Sequence, residues 1–371
     1  MLEWLMPFFT MFGPQHNIFY FEGNWHTERC VSVNTPSSQA LPIGVLKEDQ
    51  EKKEPVPIGV LKEDQEKKEP VPIDSIVLHS FEWDQNKDVS TNGQCAKVIQ
   101  YWLDAKVGAH YIVSFESAED LLKGFEARFP NLKELEATKK FGHSIQDPKK
   151  NAIICCVPDT RAAYHAGMSH FREFGVFDKG RYTLNFSSIG IEMQGNGTFK
   201  GDESIENFDQ FSEDQINVVA DLVKFLCAHH NLDPKNSVVS HAVIAPLRKK
   251  DPGPTIFQAL ADKGIGWCLP QPVFLLPLEI THTVEEARTL LQTNGYQPPA
   301  SLVDLSPRET AESRFACLFP DTQPEVVYSF LDKFSLQYAP WAWANEPKGA
   351  SKLSQESREL VIRALRAKAV L

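Results

Sequence analysis

The sequence predicts an α/β layer architecture followed by a small all-helical unit. Short apolar segments alternate with segments of helical periodicity up to about Leu269, which is typical of strands and helices in alternating layers. After the proline-rich residues 269–277, the signals are helical only. The length of 371 residues also favours a main domain with an appendage over one compact core.

The predicted strands are short runs rich in β-branched and other apolar residues. They cover residues 75–80, 109–114, 151–157 and 188–193. The charged segment 114–151 lies between the second and third of these strands and is expected to be partly helical. It could overhang a cleft and restrict the substrate or only decorate the surface, and we favour the first interpretation.

Helices are indicated by capping residues and by apolar stripes. Ser212 opens a capping box, Ser-Glu-Asp-Gln, that precedes an apolar stripe from Ile216 to Leu226. In the C-terminal region, Thr283 and Ser306 are typical helix starts, and residues 354–371 form a third candidate. These three helices predict a separate helical domain over residues 278–371.

The N-terminal residues 1–72 are predicted to form a flexible arm. The 15-residue segment 42–56 is repeated without change at 57–71, and both copies are dense in lysine and glutamate, so they offer little surface to bury. A spacer is favoured over a partner-binding role. Residues 1–12 are apolar but lack a basic start and are too short to cross a bilayer, so they are not a convincing signal peptide.

Charge and cysteine content exclude several classes of function. A net charge of −11 leaves no basic surface for phosphates, so we expect no nucleic-acid partner. No other stretch approaches the roughly 18 apolar residues of a membrane span, so no transmembrane segment is expected. The seven cysteines form no CxxC pair and are predicted to be mostly buried thiols.

Two histidines at the ends of predicted strands are candidate metal ligands. His79 ends the predicted strand 75–80, and His241 ends an apolar strand before a loop rich in proline that returns Lys249 and Asp251 toward it. Either histidine alone would more often be structural. Two histidines and one carboxylate, with a fourth position left for water, are however the ligand set of catalytic zinc. The absence of HExxH excludes the helical metalloprotease layout.

Four blocks, in order, resemble the type 2 amidase family, which includes N-acetylmuramoyl-L-alanine amidases and peptidoglycan recognition proteins. They are IVLHS around His79, RAAYHAG at 161–167, SIGIE at 188–192 and HAVIAPLRKKDPGP at 241–254. The resemblance implies a mixed central β-sheet flanked by helices over residues 73–277. It also implies that His79, His241 and Asp251 hold Zn²⁺.

The remaining roles combine chemistry with this resemblance. Amide hydrolysis needs a general base. Glu192 lies at the end of an apolar strand and matches the position of the family's catalytic glutamate. Without the resemblance, a glutamate that faces solvent or pairs with an arginine would be the favoured interpretation. Lys249 matches a family lysine that would stabilise an oxyanion, although a solvated basic loop is the competing interpretation. His165 matches the family histidine that lines the cleft and binds substrate.

The predicted function is zinc-dependent hydrolysis of the amide bond between N-acetylmuramic acid and L-alanine, with peptidoglycan or a muropeptide as partner. Alternatives are a muropeptide-binding protein, disfavoured by the intact ligand set, and a secreted lytic toxin. The sequence leaves open whether the substrate is intact or 1,6-anhydro. The C-terminal helices weakly resemble peptidoglycan-binding domains, which favours a location in the cell envelope or periplasm, although a structural cap is a close alternative.

Overall fold

A computed structural model describes the chain in segments that together cover the predicted α/β region and most of the C-terminal helices. The described residues are 15–24, 26–33, 67–81, 93–172, 174, 176–178, 181–195, 198–200, 204–207, 210–272, 278–296, 324–347 and 350–369. Most of the tandem repeat and the predicted helix start at Ser306 lie outside them. Among the described residues, no helix is long and apolar enough to cross a membrane.

The strands of the described residues are numbered in chain order. They are β1 Asn17–Phe21, β2 His26–Glu28, β3 Cys30–Val33, β4 Lys67–Pro70, β5 Ser75–Ser80, β6 Tyr111–Val113, β7 Phe141–Ser144, β8 Ala152–Cys155, β9 Arg161–Ala163, β10 Val176–Asp178, β11 Arg181–Thr183, β12 Ser188–Met193, β13 Thr198–Lys200, β14 Ser204–Asn207 and β15 Val238–Ser240. All four strands predicted from the sequence are present, as β5, β6, β8 and β12.

Seven of these strands form one mixed sheet in the order β15-β5-β12-β6-β8-β1-β7. The first four run parallel to one another, β8 is antiparallel to β6, and β1 is parallel to β8 but antiparallel to the edge strand β7. The parallel half therefore brings the carboxyl ends of β15, β5 and β12 to one edge of the sheet. Ligand sites of α/β proteins form at such ends.

The helices are numbered in the same way. They are α1 Gln94–Ala105, α2 Ala118–Arg128, α3 Leu132–Ala137, α4 Glu213–His230, α5 His241–Ile244, α6 Phe257–Asp262, α7 Val284–Thr293, α8 Pro324–Tyr338, α9 Pro340–Ala344 and α10 Gln355–Ala369. Ser212 and Thr283 cap α4 and α7 as predicted, because their side chains accept hydrogen bonds from the backbone N–H groups of Gln215 and Glu286.

Helices cover both faces of the sheet, which confirms the predicted class of a mixed sheet flanked by helices. Alternate residues of a strand point to opposite faces. Ile76 and Leu78 of β5 therefore lie in the apolar cluster with α4 and α6, whereas Val77 lies in a cluster with the C-terminal helices. A third cluster joins α1 and α2 to the half of the sheet around β8 and β1.

The C-terminal helices share a core with the sheet. Val239 of β15 and Ala242 of α5 belong to the same buried cluster as Phe330 and Phe334 of α8 and Val361 of α10. The sequence predicted a separate helical domain from residue 278. The described helices are instead continuous with the core of the preceding α/β region.

The predicted arm also contributes to the sheet. β1 lies between β8 and β7 with all five side chains buried, so residues 17–21 are a sheet strand and not part of an arm. Asn17 fixes the start of this strand because its amide donates to the carbonyl oxygens of Asp147 and Lys150. The sequence analysis missed β1 because its strand partners begin more than 100 residues further along the chain.

The segment 114–151 extends the sheet at the edge opposite β15. It forms α2, α3 and β7, and β7 pairs with β1 as the outermost strand. Phe125 of α2 packs against Phe19 and Phe21 of β1, with ring centroids 5.9 and 6.0 Å apart. These three elements therefore pack on the distal half of the sheet. Restriction of the substrate by this segment stays a prediction.

Candidate functional site

The site begins with two neighbouring strands whose ends carry a histidine and a glutamate. In the parallel pair β5 and β12, His79 and Glu192 are register partners, as are Val77 and Gly190. All four side-chain positions thus lie on the face covered by the C-terminal helices. His79 is 1% exposed, and Glu192 is intermediate in exposure.

A loop after β15 brings the second histidine and the carboxylate to the same place. Ser240 caps the short helix α5 by accepting a hydrogen bond from the Val243 N–H at 3.1 Å, so the chain turns directly at His241. The Ala242 N–H donates to the Asp251 carbonyl oxygen at 2.9 Å and closes the loop. The side chains of His241 and Asp251 are consequently adjacent.

Three potential ligand atoms converge at the centre of the site. His79 Nδ1 lies 2.8 Å from His241 Nδ1, and Asp251 Oδ2 lies 3.1 Å from His241 Nδ1 and 3.7 Å from His79 Nδ1. A tetrahedral zinc ion with bonds of 2.0–2.2 Å would separate its ligands by about 3.3 Å. The donor set and its spacing therefore fit zinc, and Asp251 Oδ1 is buried without a hydrogen-bond partner among the described residues.

The electrostatics favour the protonation states that bind a metal. Burial, together with the charges of His241 and His165, holds the pKa of His79 well below its ordinary value. Burial also lowers the pKa of His241, more than Asp251 raises it. Burial alone would raise the pKa of Asp251, but His241 and Lys249 lower it. Neutral imidazoles and an ionised carboxylate are the forms that coordinate a metal.

His165 contacts a candidate ligand directly. The Ser188 hydroxyl donates to the Leu184 carbonyl oxygen at 2.6 Å, so its oxygen can accept from His165 Nε2, which is 3.2 Å away. His165 Nδ1 is then an acceptor for His79 Nε2–H at 2.9 Å, which leaves the lone pair of His79 Nδ1 facing Asp251. Burial lowers the pKa of His165 to about 3, consistent with this neutral form. Such a chain fixes the tautomer of a ligand histidine.

Gly190 provides the space for this contact. A Cβ atom at position 190 would lie 2.6 Å from His165 Cγ, which is closer than real side chains approach. Asn185 fixes the backbone at His165, because its side-chain oxygen accepts hydrogen bonds from the N–H groups of His165 and Ala166. The sequence predicted His165 as a substrate-contacting residue; in the structure it is 9% exposed and hydrogen-bonded to His79.

The basic residues of the histidine loop differ in their surroundings. The Arg248 guanidinium donates to the carbonyl oxygens of Ala166 and Met168, so it ties the histidine loop to the loop that carries His165. The Lys249 charge is close enough to contribute to lowering the pKa of both His79 and His241. Arg248 contributes to the same two shifts, so the role of Lys249 at the oxyanion stays a prediction that rests on the resemblance.

Sequence reasoning missed two residues behind the site. His110 is buried, and its Nδ1 accepts a hydrogen bond from the Gly190 N–H at 3.0 Å while its Nε2 lies 3.0 Å from the Arg161 carbonyl oxygen. Arg29 donates to the carbonyl oxygens of Phe186, Ser188 and Arg161. Neither residue lies in a recognisable motif. The one indication in the sequence that His110 has a role is its polar side chain within an apolar predicted strand.

The fold and the site define an α/β protein with a candidate metal centre at the ends of parallel strands. Comparison with known proteins gives the family. Residues 69–254, half of the chain, match the family described as N-acetylmuramoyl-L-alanine amidase. The chain belongs to this family.

Curated relatives match parts of the chain. The N-acetylmuramoyl-L-alanine amidase AmiD of Escherichia coli is 38% identical over 163 residues, which are 43% of this chain and 56% of AmiD. The 1,6-anhydro-N-acetylmuramyl-L-alanine amidase AmpD of Escherichia coli is 31% identical over 115 residues, 30% of this chain and 53% of AmpD. The chain thus spans about half the length of the curated relatives it matches.

Two solved structures are similar over a larger share of the chain. Escherichia coli AmiD in complex with the substrate anhydro-N-acetylmuramic acid-L-Ala-D-γ-Glu-L-Lys is 23% identical, with a TM-score of 0.45 and coverage of 80% of this chain and 90% of AmiD. Pseudomonas aeruginosa AmpDh3 in complex with anhydromuramic pentapeptide is 22% identical, with a TM-score of 0.43 and coverage of 84% of this chain and 99% of the AmpDh3 chain.

Proposed function

We propose that the protein is a zinc-dependent N-acetylmuramoyl-L-alanine amidase that cleaves the bond between the lactyl group of N-acetylmuramic acid and L-alanine. The observation that carries the proposal is the convergence of His79 Nδ1, His241 Nδ1 and Asp251 Oδ2 within 4.8 Å of one another, in a buried position. These three residues would hold the zinc ion. The activities that the names of AmiD and AmpD specify support the same reaction.

The chain's own residues would supply the proton transfers. Glu192 lies beside His79 at the end of β12, where its carboxylate can take a proton from the attacking water and deliver it to the departing amine nitrogen. Lys249 would stabilise the negative charge that develops on the carbonyl oxygen. His165 would hold His79 in the tautomer whose Nδ1 is unprotonated. A bound zinc ion would add Lewis-acid polarisation of the scissile carbonyl.

The substrate class follows from the relatives and from a groove beside the site. AmiD and AmpD both carry names that specify muramyl-L-alanine amides, and we extend that substrate class, intact or 1,6-anhydro, to this chain. A groove of about 740 Å³ runs from the histidine loop along α8 to the start of α10. Lys249, Lys250 and Lys352 line it, which suits the carboxylates of a peptidoglycan stem peptide. We therefore assign the polymer-binding surface to this groove and the protein to the cell envelope.

The direct test is product analysis with a defined muropeptide. Purified protein is incubated with N-acetylmuramyl-tripeptide and with its 1,6-anhydro form, and mass spectrometry follows release of the free tripeptide. We expect release by the zinc-loaded protein, none after removal of the metal by a chelator, and recovery when zinc is restored. Full activity of a metal-free preparation would contradict zinc dependence, and binding without cleavage would favour the recognition-protein alternative.

A further inference from the structure

The helix α8 closes the open edge of the central sheet beside the candidate metal centre. β15 is the outermost strand on this side among the described residues, so the backbone groups on its outer side have no partner strand within them. Gln337 of α8 occupies that place. Its Oε1 accepts a hydrogen bond from the Ser240 N–H at 2.7 Å, and its Nε2 donates to the Val238 carbonyl oxygen at 2.9 Å. One carboxamide makes both bonds that a neighbouring strand would make.

The two bonds lie directly before a candidate zinc ligand. Ser240 precedes His241 in the chain, and the Ser240 hydroxyl caps the helix that begins at His241. Gln337 is 1% exposed, so water cannot readily replace its carboxamide. The position of the His241 backbone therefore depends on a side chain nearly 100 residues further along the chain.

The helix that carries Gln337 is itself fixed to the α/β region. The Leu269 N–H donates to the Tyr338 carbonyl oxygen at 2.6 Å, and the Cys268 thiol lies 3.6 Å from the Gln337 carbonyl oxygen. Phe334 of the same helix lies in one buried cluster with Val239 of β15. A backbone bond, the thiol contact and shared apolar packing together restrict movement of α8 relative to β15.

We propose that Gln337 is a positioning residue for the metal site. Its carboxamide fixes the end of β15, and through it the place from which His241 reaches the metal. The catalytic part of this inference rests on the proposed function, whereas the metal-binding part can be measured without any substrate. It also makes α8 a component of the metal site in addition to any role in binding the polymer.

The test compares Gln337→Met with Ser335→Ala on the same helix. Methionine fills similar space but offers neither a donor nor a strong acceptor. Ser335 is also buried, but its hydroxyl bonds only within the C-terminal helices, to the Asp332 carbonyl oxygen and the Trp343 indole N–H. Zinc affinity is measured by competition with a chelator of known affinity. We expect Gln337→Met to weaken zinc binding by about 10-fold, the low end of the effect of losing a partner bonded directly to a ligand, and Ser335→Ala to leave it unchanged.

Hydrogen exchange on the wild-type protein gives a second measurement that needs no variant. The Ser240 amide should exchange as slowly as amides inside the sheet, although β15 is an edge strand. Wild-type zinc affinity in Gln337→Met, equal weakening in Ser335→Ala, or rapid exchange at Ser240 would each overturn the inference. A wild-type protein that binds zinc but cleaves no muropeptide would instead overturn the proposed function alone.

Discussion

Glu192 and His79 lie side by side in the site, but replacing them should have different effects on zinc content and turnover. Glu192→Gln removes the proposed proton acceptor and keeps the size of the side chain, so kcat should fall by about 10²- to 10⁴-fold with zinc retained. His79→Ala removes a proposed ligand, so zinc should be lost with the activity. Elemental analysis and muropeptide turnover of both variants check this contrast. A Glu192→Gln variant with wild-type turnover would require another base.

Gly190 is the second residue whose replacement separates two effects. A methyl group at position 190 would overlap His165, so Gly190→Ala should displace the ring that bonds to His79 and destabilise the fold by about 1–3 kcal/mol. Gly142 in β7 is the matched control, since a Cβ atom there would meet nothing within 4 Å. Thermal unfolding and zinc affinity of both variants are the measurements. Equal behaviour of the two variants would show that the His165 contact is unimportant.

Residues with a motif or a strand-end position could be predicted from the sequence, and those without either could not. His79, His241 and Asp251 could be proposed as ligands because two histidines and one carboxylate are the ligand set of catalytic zinc and because the blocks around them resemble the type 2 amidase family. Gln337 acts through a carboxamide whose partners are backbone atoms of a distant strand. No periodicity or spacing in the sequence marks such a contact.

Helices and strands with a local signal in the sequence could likewise be predicted, and those without one could not. β5 and β12 each form apolar runs long enough to be recognised alone, and α4 and α7 have capping residues. β1 is stabilised by pairing with both β8 and β7, and β7 by pairing with β1, although β1 lies more than 100 residues from either partner in the sequence. Because a short strand gains its stability from its neighbours, local composition alone does not identify it.

One buried carboxylate helps to join α10 to the segment before α7. The Glu359 side chain is fully buried and accepts hydrogen bonds from the His282 imidazole at 2.8 Å, from the Arg363 guanidinium at 2.7 Å and from the backbone N–H groups of Thr281 and His282. Burial alone would raise the pKa of Glu359, but these bonds lower it from 4.5 to about 2. A lowered pKa in the folded state means that the ionised carboxylate stabilises the fold.

Glu359→Gln should therefore lower the free energy of unfolding by about 3 kcal/mol near neutral pH. The difference in the free energy of unfolding between the variant and wild type should be largest above pH 4.5, the ordinary pKa, and should shrink as the pH falls toward about 2. Urea unfolding at several pH values measures it. Glu285→Gln is the control, because Glu285 pairs with Arg288 at the exposed surface, where screening by solvent leaves an ion pair little effect on stability. A pH-independent difference would contradict the assignment.

At the scale of the whole molecule, the boundaries predicted from composition do not coincide with the packing. A fragment of residues 72–277 would lack β1, which pairs with both β7 and β8, and α8, which covers β15. It would expose apolar surface in all three of the clusters described above. The proline-rich residues 269–277 are a boundary in composition, but the buried cluster that contains Leu269 also contains residues of α8 and α10.

The groove between the histidine loop and the C-terminal helices allows a test of polymer binding by the whole molecule. Lys352 lies in this groove, in the α8–α10 region, whereas Lys224 is exposed on α4 at the opposite face of the sheet. We expect Lys352→Glu to slow digestion of intact sacculi while leaving cleavage of a small soluble muropeptide nearly unchanged, because the reversed charge repels stem-peptide carboxylates away from the reacting bond. Lys224→Glu, the control with the same change in net charge, should match wild type on both substrates.

The defect of Lys352→Glu on sacculi should also diminish at high salt, since exposed charges are screened within about 8 Å at physiological ionic strength. Equal loss on both substrates would place Lys352 in support of the catalytic site, and no loss on sacculi would remove the groove from polymer binding.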